Sequence, residues 1–236
     1  MNGKLAWEDS EFLNSPEMIG LRMQMELHRP YLTLRDAGVK STVSVFGSAR
    51  LSKNDENNKH LSNWLDIIEE FSYKNTVEIS KPTNYSEFCI ATGSGEGIMA
   101  AANKGAKLAG GKSIGFAIKL PFETKSNDYV DHEFDFLFKY FSLRKFHMCK
   151  MAKVIVGGIG SCGTMEEIQE VITLQQTGKM PITPIILFGT DFWLSTYNQL
   201  QYFKENGLAS KNDFSQILFT DSIDEGIDYI KEFYKL

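Results

Sequence analysis

The sequence predicts a single doubly wound α/β domain: a mostly parallel sheet with helices on both faces. Three observations predict it. Short β-rich runs alternate with helical patterns along nearly the whole chain. Several of those runs are apolar throughout, as strands buried on both faces of a parallel sheet are. Glycine-rich turns follow Phe46, Thr92 and Val156, at the strand ends where such sheets bind ligands. The 236 residues show no linker, low-complexity segment or internal repeat. One domain over 1–236 is therefore expected, with an N-terminal helical extension over about 1–30.

The elements follow in order. Ser15-Pro16-Glu17 is a helix start, with serine as N-cap and proline at the first helical position. Met18, Leu21, Met25 and Arg29 share one face, a packing surface for a core or a dimer, and Pro30 is expected to stop the run. Thr42–Phe46 is a strand ending in Gly47-Ser48-Ala49-Arg50. Leu61, Trp64, Leu65, Ile68 and Phe71 recur at helical spacing. Phe88–Thr92 is a strand, Gly93–Gly97 a turn, and an alanine-rich helix runs to about Ala109. Ser113–Leu120 is a strand, and 121–131 is polar and aperiodic, a loop. Phe134–Phe138 is a short aromatic strand, Leu143–Ala152 a helix and Val154–Val156 an apolar strand. A second glycine-rich stretch covers Gly157–Gly163, followed by a helix from Glu166 to about Gln176. Pro184–Phe188 is a strand, Asp191 to about Lys204 a helix, Gln216–Phe219 the last strand. A helix from about Asp224 closes the chain.

Composition narrows the function. Twenty-five Lys+Arg against 30 Asp+Glu give a formal charge of −5, which argues against a dedicated nucleic-acid binder. A small anionic ligand needs only one or two placed cations. Three cysteines, Cys89, Cys149 and Cys162, have neither disulfide-framework nor zinc spacing, and a reducing compartment is the simpler expectation. No apolar stretch approaches the length of a membrane span, and the start MNGKLAWEDSEF is not a signal peptide. A cytoplasmic protein is expected.

Two turns carry candidate chemistry. Gly93-Ser94-Gly95-Glu96-Gly97 joins a strand to a helix, where backbone N–H groups can face an anion. It is neither a dinucleotide fingerprint nor a P-loop. Gly157–Thr164 reads GGIGSCGT and opens a helix with Glu166 and Glu167. Thr164 and Glu167 form a capping box if Thr164 is the N-cap. Alternatively, Glu167 is a carboxylate at the floor of a cleft beside an anion-binding loop. Arg144 and Lys145 open a helix, where the dipole disfavours a cation, so one of them has another use, such as binding phosphate, or the two are a solvated surface pair. The four histidines have no metal-ligand spacing, and no metal is expected.

These motifs together resemble the Lonely Guy (LOG) family, long labelled lysine decarboxylase-like. Four stretches carry the resemblance: Val45–Arg50; Thr92–Met99 with Ala101–Ala106; Arg144-Lys145; and Gly163–Glu167. It continues through Thr177-Gly178-Lys179 and Pro184–Gly189. Laid without gaps on the family pattern P-G-G-x-G-T-x-x-E, which keeps the family's Arg-to-Glu spacing, the sequence has Ile159 for the proline and Ser161 for the second glycine; the alternative lays Gly157-Gly158-Ile159-Gly160 on the motif and needs an insertion before Thr164. Gly160, Gly163, Thr164 and Glu167 keep their places.

The resemblance implies a Rossmann-like fold, a homodimer, and a phosphoribohydrolase that cleaves a nucleoside 5′-monophosphate of AMP or cytokinin-ribotide type to base and ribose 5-phosphate. It implies Arg144 and Glu167 as catalytic residues. Gly47, Ser48, Gly93, Ser94, Gly95, Glu96, Lys145, Gly160, Ser161, Gly163 and Thr164 would bind substrate. No metal or cofactor is implied, and the partner is a small-molecule nucleotide rather than nucleic acid or membrane. The alternatives are a nucleotide- or anion-binding protein without turnover, and a molybdenum-cofactor carrier on the same fold.

Overall fold

Alternation of buried apolar side chains builds the sheet. In the computed structural model, which describes residues 3–121, 125–210 and 212–236, the strands are β1 (Thr42–Phe46), β2 (Cys89–Thr92), β3 (Ser113–Ile118), β4 (Asp135–Phe138), β5 (Ala152–Gly157), β6 (Ile185–Phe188) and β7 (Ile217–Thr220). They form one sheet in the order β4-β3-β2-β1-β5-β6-β7, parallel at every pairing. The helices are α1 (Ser10–Asn14), α2 (Ile19–Asp36), α3 (Asn63–Asn75), α4 (Ile98–Leu108), α5 (Phe141–Lys150), α6 (Cys162–Gln176), α7 (Thr190–Glu205) and α8 (Ile223–Tyr234).

Each face of the sheet has its own core. Val43, Val45, Val154, Val156, Ile186 and Phe188 pack toward α3, α4 and α8. Ile155, Ile185 and Leu187 face the opposite way, toward α2, α5, α6 and α7. A period of two that is apolar on both faces is what covered parallel strands require. The chain changes faces between β1 and β5, so the crevice at a doubly wound sheet's switch point opens beyond Phe46 and Gly157.

The N-terminal segment departs from expectation. A short α1 precedes the expected helix start, and Ser15-Pro16 opens a 3-10 turn before α2 begins at Ile19. Pro30 does not end the helix; it is buried within α2, which runs on to Asp36. Proline removes the N–H that would reach the Glu26 carbonyl. The buried His147 of α5 takes that place, its Nε2 lying 3.1 Å from Glu26 O. Burial holds the His147 pKa below its ordinary value, so the ring is neutral and donates from Nε2. The Glu26 carboxylate in turn accepts from the backbone N–H groups of Lys139 (3.0 Å) and Tyr140 (3.2 Å) at the start of α5. The face bearing Leu21 and Met25 points outward, and Pro30 and Leu34 are the buried residues of α2. Docking on α5, a contact no local periodicity encodes, decides which face turns in.

The remaining elements lie within a few residues of their expected bounds. The loop expected over 121–131 includes residues 122–124, which lie outside the described residues. No described helix is long and apolar enough to cross a membrane.

Candidate functional site

Three turns meet at the carboxyl ends of β1, β2 and β5, and Ile98 holds them together. The Ser48 N–H donates to Ile159 O (2.9 Å), the Gly158 N–H to Phe46 O (2.9 Å), and the Ile98 N–H to Ser48 O (3.0 Å). The fully buried Ile98 side chain fills the space that a Cβ on Gly47 would occupy and lies 3.1 Å from one built on Gly158. At Gly97, φ is +62° and a side chain would strike the Ser48 carbonyl, so only glycine fits.

The second glycine-rich loop corrects the capping-box expectation. Helix α6 begins at Cys162, its N-cap is Ser161, and the Ser161 side chain caps nothing. Thr164 is the third helical residue, and a Cβ on Gly160 would overlap its hydroxyl. Glu167 therefore sits in the second turn, where it caps no N–H group. Gly163, a residue type that usually signals a loop, stands within the first turn of the helix. Ser161 has φ −117°, a region any residue adopts, so replacing the family glycine there carries no backbone strain. Ile159, in place of the family proline, is buried with the α3/α4-side core.

Glu167 instead pairs with Arg144. Arg144 Nη1 donates to Glu167 Oε1 at 2.5 Å, and Arg144 Nε donates to Phe116 O of β3 at 3.0 Å. The two side chains are 8% and 11% exposed. The guanidinium lies against Gly93, where a Cβ would overlap Nη2, and over the Phe141 ring at 5.4 Å. Burial pushes the Glu167 carboxyl above its ordinary value, and the Arg144 charge opposes that rise.

Free backbone donors flank the pair. Among the described residues, the N–H groups of Cys162, Gly163 and Thr164 meet no protein acceptor, nor do those of Gly95, Glu96 and Gly97. The first set opens a 15-residue helix, whose dipole favours an anion at that end. Ser161, Cys162 and Gly163 are exposed, so a ligand can reach them.

The other expected site residues are placed as follows. Gly47, Ser48, Gly93, Ser94 and Gly95 belong to the joined turns, and the Glu96 side chain is exposed. Ser94 is buried at φ +66°, with its hydroxyl unpartnered among the described residues. Lys145 turns away from Arg144. It pairs with Glu166 (2.6 Å) and Glu170 (3.0 Å) and lines a cleft of about 940 Å³ bounded by α2, the segment before β1, α5 and α6. Cys89 and Cys149 have thiol pKa values pushed by burial up to about 11 and about 12, so neither is a thiolate at neutral pH.

Sequence reasoning missed the Phe116 carbonyl and Asn127, whose buried side-chain amide lies 3.1 Å from Ser94 O and 3.0 Å from Gly95 O in the Gly93–Gly97 turn. A backbone acceptor leaves no trace in a sequence, and Asn127 lies in an aperiodic polar stretch. Asn103 did carry a signal: it is an amide on the buried, alanine-lined face of α4.

Residues 99–230, more than half of the chain, match the protein family described as possible lysine decarboxylase. No curated protein matches the sequence. Among solved structures, TM1055, a Northeast Structural Genomics Consortium target, is 22% identical, with a TM-score of 0.55 over 81% of this chain and 99% of that one. The molybdenum cofactor binding protein of the phototrophic bacterium Rippkaea orientalis is 19% identical, with a TM-score of 0.55 over 83% and 98%. DNA processing protein A of Streptococcus pneumoniae is 13% identical, with a TM-score of 0.50 over 83% of this chain and 62% of that one. At these identities the likeness is one of fold.

Proposed function

The chain belongs to the possible lysine decarboxylase, or LOG-like, family, and within it we propose a hydrolase that cleaves the N-glycosidic bond of a nucleoside 5′-monophosphate. One observation carries the reading. Glu167 caps no helix, yet it is buried against Arg144 between two turns whose N–H groups have no described protein acceptor.

The chemistry fits those residues. Water and nucleotide give free base and ribose 5-phosphate. Breaking the bond from ribose to base develops positive charge on the sugar, and the fixed Glu167 carboxylate stabilises it and orients the ribose hydroxyls or the attacking water. The N–H groups at Gly95–Gly97 and Cys162–Thr164 receive the 5′-phosphate. Arg144 is a charged donor for the phosphate or the departing base. A decarboxylase of the pyridoxal type needs a Schiff-base lysine. Lys145, the lysine next to the pair, is committed to Glu166 and Glu170 and does not fit that role.

Chromatographic detection of free base from AMP, GMP, CMP, UMP, IMP and isopentenyl-AMP tests the reading. Glu167→Gln is expected to lower turnover at least about tenfold while the fold survives. Undiminished release by that variant would remove Glu167 from the mechanism. A binding protein without turnover is the second reading, favoured by Ile159 and Ser161 in the loop and by the cofactor-binding relative. Saturable nucleotide binding with no base released would support it.

A further inference from the structure

A buried amide network grips the Gly93–Gly97 turn from behind. Thr92 Oγ1 donates to Asn103 Oδ1 (2.6 Å) and accepts from the Ser94 N–H (3.0 Å). Asn103 Nδ2 donates to Ser113 Oγ (2.9 Å) and Ile114 O (3.3 Å). Asn127 reaches in from the segment between β3 and β4. Its Nδ2 shares two hydrogens among three acceptors, Asn103 Oδ1 (3.0 Å), Ser94 O (3.1 Å) and Gly95 O (3.0 Å), and its backbone N–H donates to Ser94 O (2.8 Å). Asn127 Oδ1 accepts from the Tyr129 N–H (3.1 Å). Thr92, Asn103, Ser113 and Asn127 are all buried.

The consequence follows from peptide geometry. In a planar trans peptide the C=O and the next N–H point in opposite directions. Holding the Ser94 and Gly95 carbonyls toward Asn127 therefore turns the Gly95 and Glu96 N–H groups the other way. Those are two of the donors that meet no described protein acceptor. Resting on the hydrolase reading, we propose that Asn127 is a positioning residue for phosphate recognition. It fixes the turn with its N–H groups presented to the 5′-phosphate, and so acts on the substrate site from outside the glycine-rich loops.

The test combines a readout free of turnover with one that depends on it. In Asn127→Ala, confirmed folded by its melting transition, amide hydrogen exchange at the hydrogen-bonded N–H groups of Ser94 and of residue 127 itself is expected to quicken at least about tenfold. The KM for AMP is expected to rise about tenfold with kcat within about threefold, and inorganic phosphate is expected to inhibit more weakly. Should alanine prevent folding, Asn127→Ser serves the same measurements. Unchanged exchange with unchanged KM overturns the proposal, as does an equal loss in kcat with KM unmoved. A wild-type protein that releases no base, with exchange still quickened in the variant, refutes the hydrolase reading and supports the restraint.

Discussion

Gly93→Ala asks whether the Arg144 guanidinium has to sit where it does. Gly93 is not among the glycines with positive φ, so alanine meets no backbone penalty there and its effect is steric. The added Cβ overlaps Arg144 Nη2 and falls 3.3 Å from Cζ and 3.0 Å from Met99 Sδ. Ordinary contact lies near ~3.5–4 Å, so the guanidinium must withdraw by about 1 Å or more. It is held by Phe116 O at 3.0 Å and Glu167 at 2.5 Å, and such a shift breaks or badly stretches one of these bonds. Overpacking of this kind costs about 1–3 kcal/mol, and stiffening of the unfolded chain returns about 0.4–1 kcal/mol. The balance centres on a net loss of about 1 kcal/mol within extremes of about 0–2.6 kcal/mol, and about 1 kcal/mol corresponds to roughly 2–4 °C in Tm for a domain of this size. A displacement of about 1 Å at a reacting site lowers turnover roughly a hundredfold. Differential scanning calorimetry and the base-release assay read the two effects on one sample. A variant that melts with wild type and hydrolyses AMP at the wild-type rate would refute both the packing of Arg144 on Gly93 and the need for that position in turnover.

Three further outcomes are expected. Burial raises the Glu167 pKa, so the acid limb of kcat/KM is expected above the range of an exposed carboxylate. The same shift favours the folded state below the ordinary carboxylate pKa, and that stability is lost as pH rises through the raised value; the Tm of wild type relative to Glu167→Gln is therefore expected to fall across that window and then level off. Gly163→Ala adds a methyl that, among the described residues, meets no atom within 4 Å beyond its chain neighbours and its own helix backbone. It is expected to stabilise α6 by about 0.5–1 kcal/mol while raising KM, because the open space is where a ligand meets the helix start; a higher Tm with unchanged KM would show that no substrate approaches there. Ser94 holds a left-handed φ with a hydroxyl that has no partner among the described residues, and a Cβ on Gly115 would overlap that hydroxyl. Gly115→Ala is expected to destabilise by about 1–3 kcal/mol, and Ser94→Gly to recover part of that loss in the double variant, read from chemical denaturation; strictly additive effects would deny the contact.

Local signals account for what was legible in the sequence. Apolar runs marked strands such as β5 and β6 because strands covered on both faces are apolar throughout, β4 was marked by its aromatic residues although Asp135 and Leu137 are exposed, and glycine-rich turns marked the strand ends where the site lies. What stayed illegible depends on partners far along the chain. Pro30 looks like a helix terminator until His147, 117 positions later, supplies the donor that proline lacks. Thr164-x-x-Glu167 looks like a capping box because its residue types and spacing are right, and only the start of α6 at Cys162 removes that role. The correction strengthens the functional reading. A carboxylate with a capping duty needs no other reason to be present. One that caps nothing and is buried beside an arginine bears a desolvation cost, which the ion pair and its hydrogen bond offset only in part. Local rules that fail at such a place are the expected mark of a functional site. Ser94, at a left-handed φ and without a hydroxyl partner among the described residues, is a second failure of the same kind, and both lie where the switch point of the sheet opens.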